Sequence, residues 1–498
     1  MIVRLHPERA KSPLHNFWSN VHFHPTDAIE DDWGQRILDR IAKDGAARAI
    51  RMYAMLEDIV TQDEQGELHF DFTLNDTRLD YLLSRGFSIF LSYNFIPPCI
   101  SSDTEERSTV CRKKTRYKGK YILTAAPRDY GLWERICREY TKHIVERYGL
   151  DTVASWQLQC YNEPDIGIFF MSDATVEERC REYCKLYDGF AAGVLSVSDR
   201  LQVGGPALAE EYDFLRGFLT HVKEHGTRLD FLCFHSYGTT PTWMNEGTKP
   251  LCVENHKEKL SIIRDMLKEY SLERLPVIID EWGGSICGYF NSEECPELMF
   301  RETPVFAAYY AKLLTFLCDF AMPIDKIMLC LSGQHEMTTD FSGFRNFFTL
   351  NGYPKPIYQA FVLAARLGTH RLQMETDGDD RRMTVLPTAF EDGRIAVLLS
   401  YANETFLPDG AAEVVLQITG ADACTARLTR IDSTHANAYA AYLSMGSPDS
   451  PTEAERQAIA AAGELICEPI TAKGDTVSVC MEANSIALLE LFPASQKA

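Results

Sequence analysis

Two glutamates in this chain have neighbours that suit acid–base and nucleophilic chemistry. Glu163 follows Gln159-Cys160-Tyr161-Asn162 and precedes Pro164, and Glu281 lies in Ile278-Ile279-Asp280-Glu281-Trp282. Each closes an apolar run of strand type. A pair of carboxyl groups at one site is what glycoside hydrolysis requires. A protonated acid donates to the leaving oxygen and an ionised carboxylate attacks the anomeric carbon, the two standing ~5–5.5 Å apart in a retaining enzyme. The plain alternative is two surface carboxylates at loop starts. That alternative weakens when both end apolar runs with polar and aromatic flanks.

Other run ends offer partners. His235-Ser236-Tyr237 supplies a hydroxyl that can donate to an ionised carboxylate, and Arg51-Met52-Tyr53 supplies a cation that would lower its pKa by proximity. A core histidine and a structural ion pair are the alternatives for His235 and Arg51. Asn162 can hydrogen-bond a sugar 2-hydroxyl, a contact that strengthens in the transition state. Trp282, Trp243 and Tyr161 can stack on sugar faces, although aromatics at such positions also serve as ordinary core residues.

The elements that must position these groups are legible in the hydrophobic pattern. Eight apolar runs alternate with amphipathic segments: Trp18 to Phe23, Ala46 to Met52, Phe87 to Tyr93, Val153 to Tyr161, Leu201 to Gly204, Leu229 to His235, Leu275 to Glu281 and Lys326 to Leu331. Continuous apolar runs are the signature of buried parallel strands. After the candidate N-cap Asp129, Leu132, Ile136, Tyr140 and Ile144 share a helix face that ends at Gly149. Thr175 with Glu178 has the capping-box spacing. Eight such units predict a (β/α)8 barrel over residues 15–355, with its site at the carboxyl ends of the strands. Beyond Lys355-Pro356 the period shortens toward two, which predicts an antiparallel β-sandwich over residues 356–498, with the strand Ile2 to Leu5 (within residues 1–14) joining it.

Composition narrows the class further. At ~150 residues per domain, 498 residues suit two or three domains. With 45% hydrophobic and 24% charged residues the chain is neither disordered nor coiled-coil. A net charge of −21 repels phosphate backbones and argues against nucleic acid as a partner. No run approaches ~18 apolar residues, so no membrane span is expected. The first residues lack a secretory pattern, and the 15 cysteines, Cys233, Cys330 and Cys480 among them in apolar runs, read as reduced buried thiols; both point to a cytoplasmic protein.

Taken together, these residues resemble glycoside hydrolase clan A, through Asn162-Glu163-Pro164 and Glu281, and more specifically family 39, the family of β-xylosidases and α-L-iduronidases. Similar stretches include Ile144 to Gly149 leading into Trp156, Gln202-Val-Gly-Gly-Pro206, Asp230-Phe231 with His235-Ser-Tyr237, and Lys355-Pro356 near Phe361. The most specific lies in the sandwich: Ile431-Asp432, His435 to Tyr439, Met445-Gly446-Ser447-Pro448 and Pro451-Thr452. The resemblance implies Glu163 as acid/base, Glu281 as nucleophile, retention of configuration, and Asn162, His235, Tyr237 and Arg51 in the glycone site. It also marks departures. The family commonly has histidine where Tyr53 stands, its xylosidases carry a tryptophan where Leu329 to His335 runs, and Trp282-Gly283-Gly284 follows the nucleophile. These touch the sugar pocket and leave the two carboxylates intact.

Weaker signals remain open. The basic run Arg112 to Lys120 is either a solvated loop or a segment that meets an acidic sugar. His221 and His225 have zinc-pair spacing but no third ligand, and read as helix surface. Among His335, Glu336, Asp340 and Arg345, an arginine could pair with a uronate carboxylate. No metal or organic cofactor is implied. The sequence therefore predicts a retaining exo-glycosidase acting on oligosaccharides or glycosides, β-xylosidase-like, with Glu163 and Glu281 catalytic and Asn162, His235, Tyr237, Arg51, Tyr53 and Trp282 binding substrate. A glycosidase of other specificity, such as an α-L-iduronidase-like enzyme or another pentosidase, and an inactive sugar-binding protein are the alternatives. A homo-oligomer is left open.

Overall fold

The computed structural model describes residues 1–9, 12–23, 29–108, 122–239, 251–285, 290–332, 337–378, 380–403 and 410–493. After the short strand β1 (Ile2–Leu5), eight strands form a closed barrel: β2 (Asn20–Phe23), β3 (Ala49–Tyr53), β4 (Ser88–Tyr93), β5 (Gln157–Cys160), β6 (Gln202–Leu208), β7 (Phe231–Tyr237), β8 (Val277–Gly283) and β9 (Ile324–Leu331). Every neighbour is parallel, and β9 pairs with β2 to close the ring. Each overlaps one of the eight apolar runs, and five extend past the run: β3 to Tyr53, β6 to Leu208, β7 to Tyr237, β8 to Gly283, and β9 back to Ile324.

Alternation along the strands sorts the side chains. A lower interior layer holds Ala49, Phe90, Ala207, Phe231, Cys233, Ile278 and Met328. Outward residues such as Ile50, Leu232 and Ile279 join the large core beneath the helices. The sheet needs glycine at 204, because a Cβ there would fall 2.4 Å from the Phe231 ring.

The helix signals hold. Helix α1 (Tyr130–Tyr148) begins at Asp129, whose carboxylate accepts from the amides of Gly131 and Leu132, and stops at Gly149, with φ of 86°. Helix α2 (Val176–Val197) carries the Thr175–Glu178 capping box.

The carboxy-terminal strands build a four-stranded and a seven-stranded sheet with a separate apolar core between them. Strand β1 lies between Met374–Asp377, antiparallel to it, and Ala411–Ile418, parallel to it, so this sheet is mixed. The chain then crosses to the other sheet, where Ser12–Pro13 pairs with His370–Arg371. Helices α3 (Pro304–Asp319) and α4 (Pro356–Ala364) pack together, with Tyr310 stacked 4.5 Å from Phe361. An apolar helix of this kind must be covered, and Leu386, Leu398 and Leu488 of the sandwich join the same core. Ser400 also donates to the carbonyl of Ala308. Cys480 lies on the exposed face of its strand, unlike the buried Cys233 and Cys330.

Candidate active site

Above the apolar layer the barrel interior turns polar. Inward positions near the strand ends carry His22 on β2, Arg51 and Tyr53 on β3, Gln159 on β5, and His235 and Tyr237 on β7. Strand β8 departs from simple alternation. Phe234 pairs with Ile279 and His235 with Glu281, so Asp280 is an extra residue, a β-bulge. The bulge turns two consecutive carboxylates, Asp280 and Glu281, to the interior, where both contact Arg51.

Glu281 is held by several donors. Arg51 Nη1 donates to Oε1 at 2.8 Å, the Tyr53 hydroxyl to the same oxygen at 3.4 Å, and the Tyr237 hydroxyl to Oε2 at 2.9 Å. His22 Nε2 stands 3.5 Å from Oε1. Burial by itself pushes this carboxyl up. The nearby positive charges of His235, His22, Arg51 and Arg345 outweigh it and hold the group well below the ordinary carboxylate range.

Glu163 is placed by the loop after β5. Its amide donates to the carbonyl of Ala207, a residue at φ of 58° in an irregularity of β6. Two residues on, the buried Asp165 carboxylate accepts from the amides of Ala209, Glu210 and Glu211 at 2.8–3.0 Å, tying this loop to the one after β6. Glu163 itself has φ of 47°, a strained conformation of the kind that concentrates at functional sites. Burial pushes the Glu163 carboxyl up. The attraction of His235 opposes this, the charges of Glu281 and Asp165 reinforce it, and the net direction is upward. The Glu163 side chain is 15% exposed against 6% for Glu281, so it is the more accessible of the two.

Oxygens of Glu163 and Glu281 and a ring nitrogen of His235 all lie within 4.8 Å of one another. His235 Nδ1 is 2.6 Å from Glu163 Oε1 and 3.8 Å from Glu281 Oε2. Burial disfavours the imidazolium, but Glu281, Asp280 and Glu163 together raise its pKa to about 10, so Nδ1–H donates to Glu163. Two neighbouring carboxyls pushed in opposite directions are the electrostatic arrangement of an acid and a nucleophile. His22, Glu281 and Cys330 also have ligand-type atoms within 4.8 Å. Any cation on either set would sit beside Arg51, which is already paired with Glu281.

Of the residues singled out from sequence, Glu163, Glu281, Asn162, His235, Tyr237, Arg51 and Tyr53 come together. Asn162 joins through its side-chain oxygen, which accepts from Arg51 Nη2 at 2.8 Å. Trp282 does not join them. As the residue after the bulge it points to the outer face, stacked 5.4 Å from Tyr310 and 6.3 Å from Phe361 and 1% exposed, so it cannot meet a sugar in the barrel. Tyr161 is likewise core: it packs on Phe95 and Phe170 and donates to the carbonyl of Phe169. Arg345 reaches the site, donating from Nη1 to the Tyr237 hydroxyl at 3.0 Å. His221 pairs with Asp188 at 2.9 Å and stacks on His225 at a helix surface. Trp243, the Arg112 to Lys120 run, His335 and Glu336 lie outside the described residues.

Sequence reading missed His22, Gln159 and Asp280. Polar residues inside apolar runs were the available signal for His22 and Gln159. For Asp280 the signal was masked, because period-two reasoning sends neighbours to opposite faces.

Comparison with known proteins places the chain in a family. The family model for glycosyl hydrolases family 39 matches residues 1–475. The chain is 27% identical over 476 residues to a β-xylosidase of Caldicellulosiruptor saccharolyticus, covering 92% of this chain and 90% of that one. It is 24% identical over 306 residues to a canine α-L-iduronidase, covering 56% of this chain and 41% of the relative. A family 39 β-xylosidase structure from Caulobacter crescentus superposes with a TM-score of 0.79 at 23% identity, over 99% of this chain and 100% of that one, which shows the shared fold.

Proposed function

Since the chain belongs to glycosyl hydrolase family 39, we propose that it is a retaining exo-β-xylosidase that releases xylose from the non-reducing end of oligosaccharides or related glycosides. One observation carries the mechanism: oxygens of Glu163 and Glu281 lie within 4.8 Å, one carboxyl pushed up and the other held well down. Carboxyls with oxygens this close suit a retaining pair, whose groups stand ~5–5.5 Å apart, with the nucleophile in direct reach of the anomeric carbon.

In the first step Glu281 attacks the anomeric carbon while Glu163 protonates the departing oxygen, giving a glycosyl ester on Glu281. In the second, water attacks the same carbon, its proton passes to Glu163, and the ester bond breaks with its electron pair returning to Glu281. Two inversions give retention. Arg51 and Tyr237 orient the nucleophile. Arg51 also fixes the Asn162 side-chain oxygen, which leaves the NH2 end of that amide for a sugar hydroxyl. The xyloside reading rests on the relative aligned over nearly the whole length of both chains.

A second reading, hydrolysis of a uronide, has Arg345 in its favour, since its guanidinium lies 3.0 Å from the Tyr237 hydroxyl, itself 2.9 Å from Glu281. A panel of nitrophenyl glycosides covering xyloside, arabinoside, glucoside and uronide decides between them. The xyloside should give the highest kcat/KM. A uronide in first place would replace the first reading with the second. No turnover on any, with no labelling by an activated fluoro-glycoside, would leave a sugar-binding protein.

A further inference from the structure

The bulge in β8 brings a third carboxylate inside the barrel, and the two-carboxylate mechanism does not use it. Asp280 is fully buried. Its Oδ2 accepts from Gln159 Nε2 at 2.6 Å, lies 3.1 Å from Arg51 Nη2 and 3.5 Å from His235 Nε2. The His235 ring therefore spans the site, with Asp280 at Nε2 and Glu163 and Glu281 at Nδ1. These three carboxylates are the anions facing it. Arg51 pairs with Asp280 and Glu281, His22 and Arg345 add positive charge beside Glu281, the buried Lys259 acts on Asp280 and Glu163, and the Tyr237 hydroxyl adjoins Glu281 from the same strand as His235.

The charges around His235 change during turnover. Esterification neutralises Glu281, and Glu163 passes from acid to carboxylate. Asp280 takes part in neither change, and its carboxyl is held down against burial by Arg51 and His235.

We propose that Asp280 is a positioning residue for the second step: it is the constant anion that keeps His235 protonated in the glycosyl-enzyme, so that Nδ1–H holds Glu163 as an ionised base. The inference rests on the roles given above to Glu163 and Glu281. In the second step the water oxygen bonds to the anomeric carbon, the ester bond to Glu281 breaks with its electron pair, and the water proton goes to Glu163. With Glu281 esterified, only Asp280 and Glu163 remain to support the imidazolium. Without Asp280, the Nδ1 proton moves onto Glu163, which then cannot take one from water. The first step is spared, because Glu281 is ionised until the ester forms.

The test uses the full-length protein with Asp280→Asn and, as a second variant lacking the anion, Asp280→Ser. An activated fluoro-glycoside traps the glycosyl-enzyme, so its trapping rate reads the first step and reactivation of the trapped protein reads the second. Both variants should trap within about twofold of wild type. They should reactivate about tenfold more slowly or worse, a part of the ~10²–10⁴-fold that a positioned acid or base contributes. On an aryl glycoside with a good leaving group, kcat and KM should fall together while kcat/KM holds, and azide, which attacks without a base, should restore kcat. Equal slowing of trapping and reactivation, or no azide effect, would make Asp280 merely structural and overturn the proposal. Failure of the underlying reading looks different: wild type itself would not be labelled on Glu281. Wild-type labelling with unimpaired reactivation of both variants would sink this inference alone.

Discussion

Arg51→Met isolates the charge that organises the site. The arginine side chain is fully buried and donates to Glu281 at 2.8 Å, to Asn162 at 2.8 Å and to Gln159 at 3.0 and 3.1 Å, while standing 3.1 Å from Asp280. Methionine fills a similar length and donates nothing. Removing one partner of a buried ion pair costs about 3–5 kcal/mol, since the other is left uncompensated. Against a total stability of about 5–15 kcal/mol the variant should fold with a clearly lower urea midpoint. The pH dependence follows from sign. Both Asp280 and Glu281 have carboxyls held below their ordinary values in the folded state. The stability they contribute is fully present above the unfolded carboxylate range, roughly pH 4, and is lost as pH falls through the lowered folded values. Removing Arg51 raises those folded values. The stability gap between wild type and variant should therefore be widest near neutrality and narrow in acid. The nucleophile must be ionised, so the acid limb of kcat/KM should move to higher pH. Arg51→Lys, with a charge but no planar fork, should recover more stability than activity. Urea titrations at neutral and acid pH, with a kcat/KM–pH profile, check both halves. A gap independent of pH, or an unmoved acid limb, would refute the charge argument.

Glu281→Gln should abolish turnover and labelling by an activated fluoro-glycoside, and mass spectrometry of the treated protein checks it. Glu163→Ala should lose alkyl glycosides by roughly 10²–10⁴-fold, spare aryl glycosides with good leaving groups, and respond to azide. Because burial raises the Glu163 carboxyl and this group must be protonated in the free enzyme, the basic limb of the wild-type kcat/KM profile should reflect it and vanish in Glu163→Ala. Trp282→Ala should cost about 3–5 kcal/mol in denaturant titration by opening a cavity against Tyr310 and Phe361, with KM nearly unchanged. A large KM effect on a stable Trp282 variant would put that ring back at the sugar.

Much of this was legible in the chain. Buried parallel strands must be apolar along their length, so eight runs in alternation with amphipathic segments were enough for the barrel, and Asp129 and Thr175 marked helix starts because orphan amides need acceptors. Glu163 and Glu281 were legible because a carboxylate closing an apolar strand falls at the barrel mouth whatever the details of packing. The packing of the segment after Lys355 was less so: Pro356 to Ala364 is apolar but for Gln359, and only the structure shows that it packs on Tyr310 while Gln359 donates to the carbonyl of Gly463.

Residue types and their order thus determined the architecture, the two carboxylates and most of their company. Tertiary structure decided which way β8 faces after Ile279. One extra residue in the pairing with β7 brings Asp280 and Glu281 inward together and sends Trp282 outward, and a single-residue slip is invisible to a period-two pattern because it depends on the partner strand. The opposite tuning of the two glutamates has the same origin. Both are carboxyls that close apolar runs, and they part because Arg51, His22, Arg345 and His235, drawn from four separate segments, converge on Glu281 and leave Glu163 with His235 alone among them.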